Sequence, residues 1–176
     1  MRVSPLVVAL SLATMSALPS LAQQATPTLP TYTTEQRWAR AAELGIANHV
    51  VHLMQAKARG LAPEAYGQES FKIFGPPRGW VNATTPFALF RGMYNNFMSH
   101  PRQECMLLEA TANLVRAECN RPYAASVRNR TAAFGVTLEE YEASMLAFAR
   151  SVAEHHRMTW EQELRLDNVV ITIRKP

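Results

Sequence analysis

The sequence lacks most of the short motifs by which common enzyme classes are recognised. It has no Gly-rich phosphate loop, no serine nucleophile elbow and no His-Glu-x-x-His motif. Its only two cysteines, Cys105 and Cys119, form no Cys-x-x-Cys or Cys-x-x-Cys-His pattern and no zinc-ribbon spacing. These absences argue against thiol redox chemistry and c-type haem attachment, and they leave no motif that assigns a reaction.

Runs of basic residues are also absent. The chain has 18 basic and 14 acidic residues, and its Lys and Arg residues are dispersed along the sequence. A mild, dispersed excess of positive charge gives little support for nucleic-acid or lipid-headgroup binding. We therefore expect a small-molecule partner rather than a nucleic acid.

Long apolar stretches occur only at the N-terminus. Residues 1–22 combine Arg2, an apolar stretch from Leu6 to Leu18 and the small-residue end "SLA", which is typical of a secretory signal peptide cleaved after Ala22. No later segment approaches the ~20 apolar residues of a membrane span. Residues 23–33 are rich in Pro and Thr and predict a disordered leader. We expect an exported protein, periplasmic or secreted, with a single domain at 34–176.

Helical periodicity covers the first half of this domain and returns near its end. Thr33 with Gln36 and Thr137 with Glu140 match the capping box that begins a helix. Pro63 and Pro86 occupy first-turn positions, where a missing amide costs nothing. Five helices are predicted in this way, starting near 34, 63, 86, 122 and 138.

Period-two alternation predicts two hairpins between and after these helices. "ECMLLEATANLVRAEC" places Met106, Leu108, Ala110, Val115, Ala117 and Cys119 on one face if Ala112 and Asn113 form a two-residue turn. Glu109 then faces Arg116 on the polar side. In the last hairpin, a turn at Asp167 and Asn168 places Glu161 opposite Arg174. The inward face of this hairpin then consists of Trp160, Gln162, Leu164, Leu166, Val169, Ile171 and Ile173.

Two one-sided hairpins and amphipathic helices predict an α+β domain. The N-terminal helices would be followed by a four-stranded, mostly antiparallel sheet of two hairpins, with helices packed on one face. The order of elements around "LVRAECNRPY" and "WEQELRLDNVVITI" resembles small α+β ligand-binding domains of the vinyl-reductase type and the aminothiazoline-carboxylate hydrolase-like family. The resemblance implies a pocket between sheet and helices for a small or planar molecule, with Cys119 at its edge.

The cysteines allow two interpretations that the sequence leaves open. With the two-residue turn, Cys119 faces inward and Cys105 outward, and a free Cys119 with His156 as acid/base could carry hydrolase, lyase or isomerase chemistry. A carboxylate could replace the thiol in the same role. A three-residue turn instead sets the cysteines opposite each other, and an oxidising compartment favours that disulfide.

Histidines provide a second hypothesis. His49 and His52 are three residues apart on the first predicted helix, so their rings are neighbours on one face. With His156 from the long helix they would suit a divalent metal such as zinc or copper.

The leading hypothesis comes from an aromatic stripe on the third predicted helix, formed by Phe87, Phe90, Tyr94 and Phe97 at three- and four-residue spacing. Arg91 borders this stripe and could bind a carboxylate, while the rings hold an apolar body. Arg121 and Tyr123 could close the same site. We therefore predict a small, largely apolar or aromatic ligand with an anionic group. The predicted ligand-binding residues are Arg91, Tyr94, Phe97, Arg121, Tyr123, Trp160 and Gln162.

Overall fold

A computed structural model describes residues 30–75, 82–97 and 100–176, except for the side chain of Phe97. The predicted signal peptide and residues 23–29 of the predicted leader lie outside these residues. One compact unit spans Tyr32–Pro176. Its elements are α1 (Thr34–Ala58), α2 (Pro63–Phe74), α3 (Pro86–Phe97), β1 (Cys105–Ala110), β2 (Leu114–Asn120), α4 (Tyr123–Phe134), α5 (Leu138–His155), β3 (Thr159–Leu164) and β4 (Asn168–Arg174).

The helix boundaries follow local capping chemistry. Both predicted capping boxes form, with Thr33 and Thr137 accepting from the backbone three residues ahead while Gln36 and Glu140 accept from the cap residues. Gly60 ends the first helix with a positive φ of 79°, a conformation that glycine adopts without steric cost. Among the described residues, no helix is both long and apolar enough to cross a membrane.

The four strands form one sheet in the order β1-β2-β4-β3, and every neighbouring pair is antiparallel. Each predicted hairpin forms, and the two hairpins join through β2 and β4. Helices α3 and α5 pack on the apolar face, while Arg116, Glu161 and Glu163 are exposed on the other. The predicted α+β fold is therefore confirmed.

The first hairpin combines the two registers that its sequence allowed. Glu109 pairs with Arg116 near the turn, as predicted, but Cys105 pairs with Cys119 at the far end. Leu108 is the extra residue between these two registers, so β1 carries a bulge. The predicted inward face of β1 is wrong, because Met106, Leu108 and Ala110 are all exposed, whereas the β2 residues predicted to face inward are buried.

The second hairpin is displaced by two residues from its predicted register. Arg165 donates its backbone N–H to the carbonyl of Asn168, so Leu166 and Asp167 form the turn. Glu161 accordingly pairs with Thr172 rather than with Arg174. A shift of two residues leaves every side chain on its original face. Trp160 and Ile171 are therefore buried as expected, although Leu164 and Leu166 are exposed.

The long helix α5 contributes to both apolar clusters of the core. Its C-terminal half packs with the sheet and α3, and its N-terminal half packs with α1 and α4. Gly67 of α2 meets α5 so closely that a Cβ atom there would lie 2.1 Å from the carbonyl oxygen of Ser144. Helix α5 also lines a cavity between the sheet and the helices.

Candidate ligand-binding site

A cavity of about 670 Å³ lies between the sheet and the helices. Its walls come from α1, α3, α5, the start of α4 and strands β2, β3 and β4. Most of the lining is apolar. The lining residues are Trp38, Ala41, Ala42, Gly45, Ile46, Met93, Asn96, His100, Gln103, Cys119, Asn120, Tyr123, Tyr141, Glu142, Met145, Phe148, Ala149, Gln162, Val169 and Ile171.

Small residues on the helices leave this space open. Gly45 of α1 has no atom within 4 Å of the position that a Cβ would occupy, and Ala41 and Ala42 line the same wall. On the sheet side, Val169 and Ile171 of β4 form an apolar floor. The cavity therefore has mainly apolar walls and a volume in the range that small-molecule sites commonly have.

A buried charged group borders the cavity at α5. The Glu142 side chain is only 7% exposed, and its Oε1 accepts from Arg121 Nη1 at 2.6 Å and from the Tyr123 hydroxyl at 3.0 Å. Arg121 also donates through Nη2 to the backbone carbonyls of Arg165 and Leu166. This arrangement joins the β2–α4 junction, α5 and the β3–β4 turn.

The tyrosines at this end are held in their protonated form. Burial and the neighbouring Glu142 raise the pKa of Tyr123 well above its usual range. Burial, followed by Glu142, also raises the pKa of Tyr141. Both phenols therefore remain hydrogen-bond donors at neutral pH.

Amide side chains supply further polar groups. Asn120 Oδ1 accepts from Gln103 Nε2 at 3.0 Å and from the backbone N–H of Glu104 at 2.9 Å. Gln162 also lines the cavity, and its carboxamide has no hydrogen-bond partner within the described part of the chain. The predicted place of Gln162 as a polar exception on an apolar face agrees with its position in the structure.

The predicted ligand-binding residues do not all meet at the cavity. Tyr123 and Gln162 line it, and Arg121 lies directly behind Glu142 without lining it. Arg91 is exposed on α3 and does not line the cavity. Arg91 follows Phe90 by one residue, which turns its side chain about 100° away from that buried position.

Tyr94 and Trp160 serve mainly in packing. Tyr94 stacks on Phe90 with ring centroids 6.3 Å apart, and neither ring lines the cavity. Trp160 is 3% exposed within the core, and its Nε1 has no hydrogen-bond partner among the described residues. The side chain of Phe97 lies outside the described part of the chain.

The structure changes the Cys119 hypothesis. Cys119 lines the cavity but forms a disulfide with Cys105, which removes the thiol that attack on a substrate would require. The bulge in β1 makes this pairing compatible with the Glu109–Arg116 pair. His156 ends α5, and desolvation, then His155, lowers its pKa. Its ring does not line the cavity, so no Cys119–His156 pair is assembled there.

The three histidines predicted to bind metal are not brought together. His49 contacts Ser144, which precedes His156 by twelve residues, or about 18 Å along the helix axis. His52 is exposed on the neighbouring turn of α1. Within the described ranges, no three His, Cys, Asp or Glu side chains are close enough to hold a metal ion.

Glu142 is the main site residue that the sequence prediction missed. It lies four residues after Leu138 and three before Met145, within the apolar stripe of α5. A charged residue on a buried helix face is uncommon unless it is paired. That exception to the apolar pattern could have identified it as a residue with a buried partner.

Comparisons with known proteins assign no family. No family model matches the chain, and no curated protein does. A structure of an Fe(II) unliganded H-NOX protein from K. algicida matches with 14% identity and a TM-score of 0.41, over 65% of this chain and 61% of that one. A single-site mutant of that protein matches with 14% identity and a TM-score of 0.43, over 89% and 81%.

Both TM-scores are low, so neither likeness assigns a fold family or a function to this chain. The chain also spans only 61% of the first structure. The resemblance to vinyl-reductase-type domains is not tested by these matches and stays a prediction.

Proposed function

We propose that the protein is an exported binding protein for a small, largely apolar or aromatic molecule. The observation that carries this proposal is the cavity of about 670 Å³ between the sheet and the helices. Apolar walls remove the body of a ligand from water, and a few placed polar groups fix its orientation. The predicted resemblance to vinyl-reductase-type domains would imply the same kind of pocket.

Electrostatics argue against the anionic anchor predicted from the sequence. Arg91 is exposed away from the cavity, and the guanidinium of Arg121 is occupied by Glu142 and two carbonyl groups. The charged side chain that lines the cavity within the described residues is an acid, Glu142. We therefore retain the apolar ligand in the proposal and do not retain its carboxylate.

Export is supported by the covalent chemistry of the chain. The Cys105–Cys119 disulfide joins the edge strand to the sheet, and such bonds persist in the periplasm or outside the cell. The N-terminal pattern of residues 1–22 points in the same direction.

A neutral aromatic fluorophore tests the proposal. N-phenyl-1-naphthylamine should bind the purified protein saturably, with a rise in fluorescence as it leaves water. Gly45→Trp should weaken that binding by roughly tenfold or more, because its indole would occupy space in which a Cβ meets no atom. Asn48→Trp is the matched control, because Asn48 is exposed on the same helix and does not line the cavity.

Two results would contradict the proposal. One is an absence of saturable binding by the folded wild-type protein. The other is equal loss of binding in the Gly45 and Asn48 variants, because such a result would locate the fluorophore outside the cavity. Circular dichroism of each variant verifies that the fold is intact.

A further inference from the structure

The two hydrogen bonds to Glu142 end on the same oxygen atom. Arg121 Nη1 and the Tyr123 hydroxyl both donate to Oε1, at 2.6 and 3.0 Å. The other oxygen, Oε2, has no hydrogen-bond donor among the described residues. The Glu142 side chain is more than nine-tenths buried and lines the cavity, so a ligand in the cavity can contact it.

A ligand that fills the cavity removes Glu142 from water, and a carboxylate oxygen that then has no donor is costly. A ligand that brings a hydroxyl or N–H group would restore the missing bond. Hydrogen bonds to an ionised acceptor are about twice as strong as neutral ones. Glu142 is therefore suited to select ligands by a donor group.

The charge of the surroundings narrows the class of donor. Arg121 balances the charge of Glu142 from behind, and its Nη1 and Nη2 atoms are both engaged in hydrogen bonds. Its Nε is buried without a partner among the described residues, and Arg121 does not line the cavity. An anionic ligand would be repelled by the Glu142 carboxylate. A cationic ligand would add positive charge to the Arg121–Glu142 pair, which is already neutral.

We propose that Glu142 accepts a hydrogen bond from a neutral donor on the ligand, a hydroxyl or an N–H group, while the apolar walls hold its body. Arg121 and Tyr123 act as positioning residues that fix the carboxylate. This inference rests on the proposed ligand-binding function and assigns the chemical class of the ligand's polar end.

Three naphthalenes of similar size test the assignment through displacement of N-phenyl-1-naphthylamine. They are 1-naphthol, which is a neutral donor, its methyl ether 1-methoxynaphthalene, and the anion 1-naphthoate. We expect the naphthol to bind the wild-type protein about tenfold or more tightly than the ether, the ratio that one charge-assisted bond supplies. A purely apolar cavity would instead prefer the ether, which buries an additional carbon. The anion should bind most weakly.

Glu142→Gln tests the residue itself. Its amide oxygen can still accept from Arg121 and Tyr123, so its NH₂ group would face the cavity. The preference for naphthol over the ether should then disappear, and binding of 1-naphthoate should strengthen relative to the wild type. Glu154→Gln is the matched control, because Glu154 is exposed on α5 and does not line the cavity. It should retain the wild-type order of affinities.

The outcomes separate this inference from the proposed function. If the fluorophore binds in the cavity but naphthol and its ether bind the wild-type protein equally, the assignment of Glu142 is wrong and the binding function stands. If no probe binds, both are wrong. The wild-type comparison needs no variant, so a Glu142→Gln protein that fails to fold leaves the assignment testable.

Discussion

At the scale of single residues, the environment of His49 opposes protonation. Its ring packs against Tyr66 and Tyr141, with centroids 5.7 and 4.8 Å away, and its Nε2 lies 2.9 Å from Ser144 Oγ. Burial, with a smaller contribution from His52, lowers the pKa of His49 from 6.5 to about 4. The unfolded chain therefore binds a proton at a higher pH than the folded chain does.

This difference predicts a stability that depends on pH. The contribution of the neutral ring is fully present above pH 6.5 and is lost as the pH falls toward 4. At ~1.4 kcal/mol for each pKa unit, the wild-type protein should lose roughly 3 kcal/mol across this range through His49. Urea unfolding at several pH values measures the loss.

His49→Gln should remove this part of the pH dependence, because an amide does not titrate. His52→Gln is the matched control from the exposed side of the same helix, and it should keep most of the wild-type pH dependence, because burial contributes more than His52 does to the shift of the His49 pKa. Parallel pH profiles for the wild type and His49→Gln would contradict the assignment.

Residue-scale prediction from the sequence succeeded where a residue's own surroundings decide its place. Thr33 and Thr137 cap helices as predicted, because the capping box is complete within four residues. Helical spacing does not fix where a buried face ends, and Arg91 is exposed and does not line the cavity. The Arg121–Glu142 pair joins residues 21 positions apart, and no local pattern links them.

At the scale of elements, the α2–α5 contact depends on a glycine. Gly67 is the buried residue of α2, and a Cβ there would also lie 3.0 Å from Ala147 Cβ and 3.1 Å from the backbone nitrogen of Phe148. These atoms belong mainly to the α5 backbone, which cannot move aside as a flexible side chain would. Helix α2 must therefore shift if Gly67 is replaced.

Gly67→Ala should lower the free energy of unfolding by about 2 kcal/mol or more, despite the better helix propensity of alanine. Gly45→Ala is the matched control, because its Cβ would meet no atom within 4 Å. That variant should be unchanged or more stable by up to about 1 kcal/mol. Equal midpoints of thermal unfolding for the two variants would contradict the close approach of α2 and α5.

The hairpins show how far alternation alone predicts an element. Alternation identified all four strands, because period two requires only neighbouring residues. It could not locate the bulge at Leu108, since the sequence supports two registers and the disulfide is compatible with only one of them at Cys105. The turn at Leu166 and Asp167 displaces the pairing of β3 and β4 by two residues. Each side chain therefore stays on its predicted face of the sheet.

At the scale of the whole molecule, the layer arrangement could be predicted but the empty volume could not. Every described element except α2 and β1 contributes to the cavity lining. Its size depends on where small residues such as Gly45 and Ala149 meet across layers, and each pattern in the sequence reports on one element at a time. For the same reason the sequence did not predict Glu142 as a site residue, because its partners lie at the β2–α4 junction.

The disulfide adds a covalent restraint to this layered arrangement. Cys105 lies on an edge strand whose Met106, Leu107 and Leu108 side chains are largely exposed, so little apolar burial holds that strand to the sheet. Cys119 is buried on β2 and faces the cavity. The bond therefore compensates for a weakly buried edge and also completes one wall of the candidate site.

Replacing both cysteines by serine should lower the free energy of unfolding by about 3 kcal/mol, the value expected for closing a loop of this length, since the cysteines are 14 residues apart. Urea unfolding of the double variant beside the oxidised wild type measures the loss, and the wild type in excess dithiothreitol should behave like the variant.

Protein recovered from a bacterial periplasm should also contain no titratable thiol in denaturant, whereas the chain without residues 1–22, produced in the reducing cytoplasm, should contain two. Two free thiols in the periplasmic protein would show that the bond does not form on export. Equal unfolding with and without dithiothreitol would show that the bond does not restrain β1.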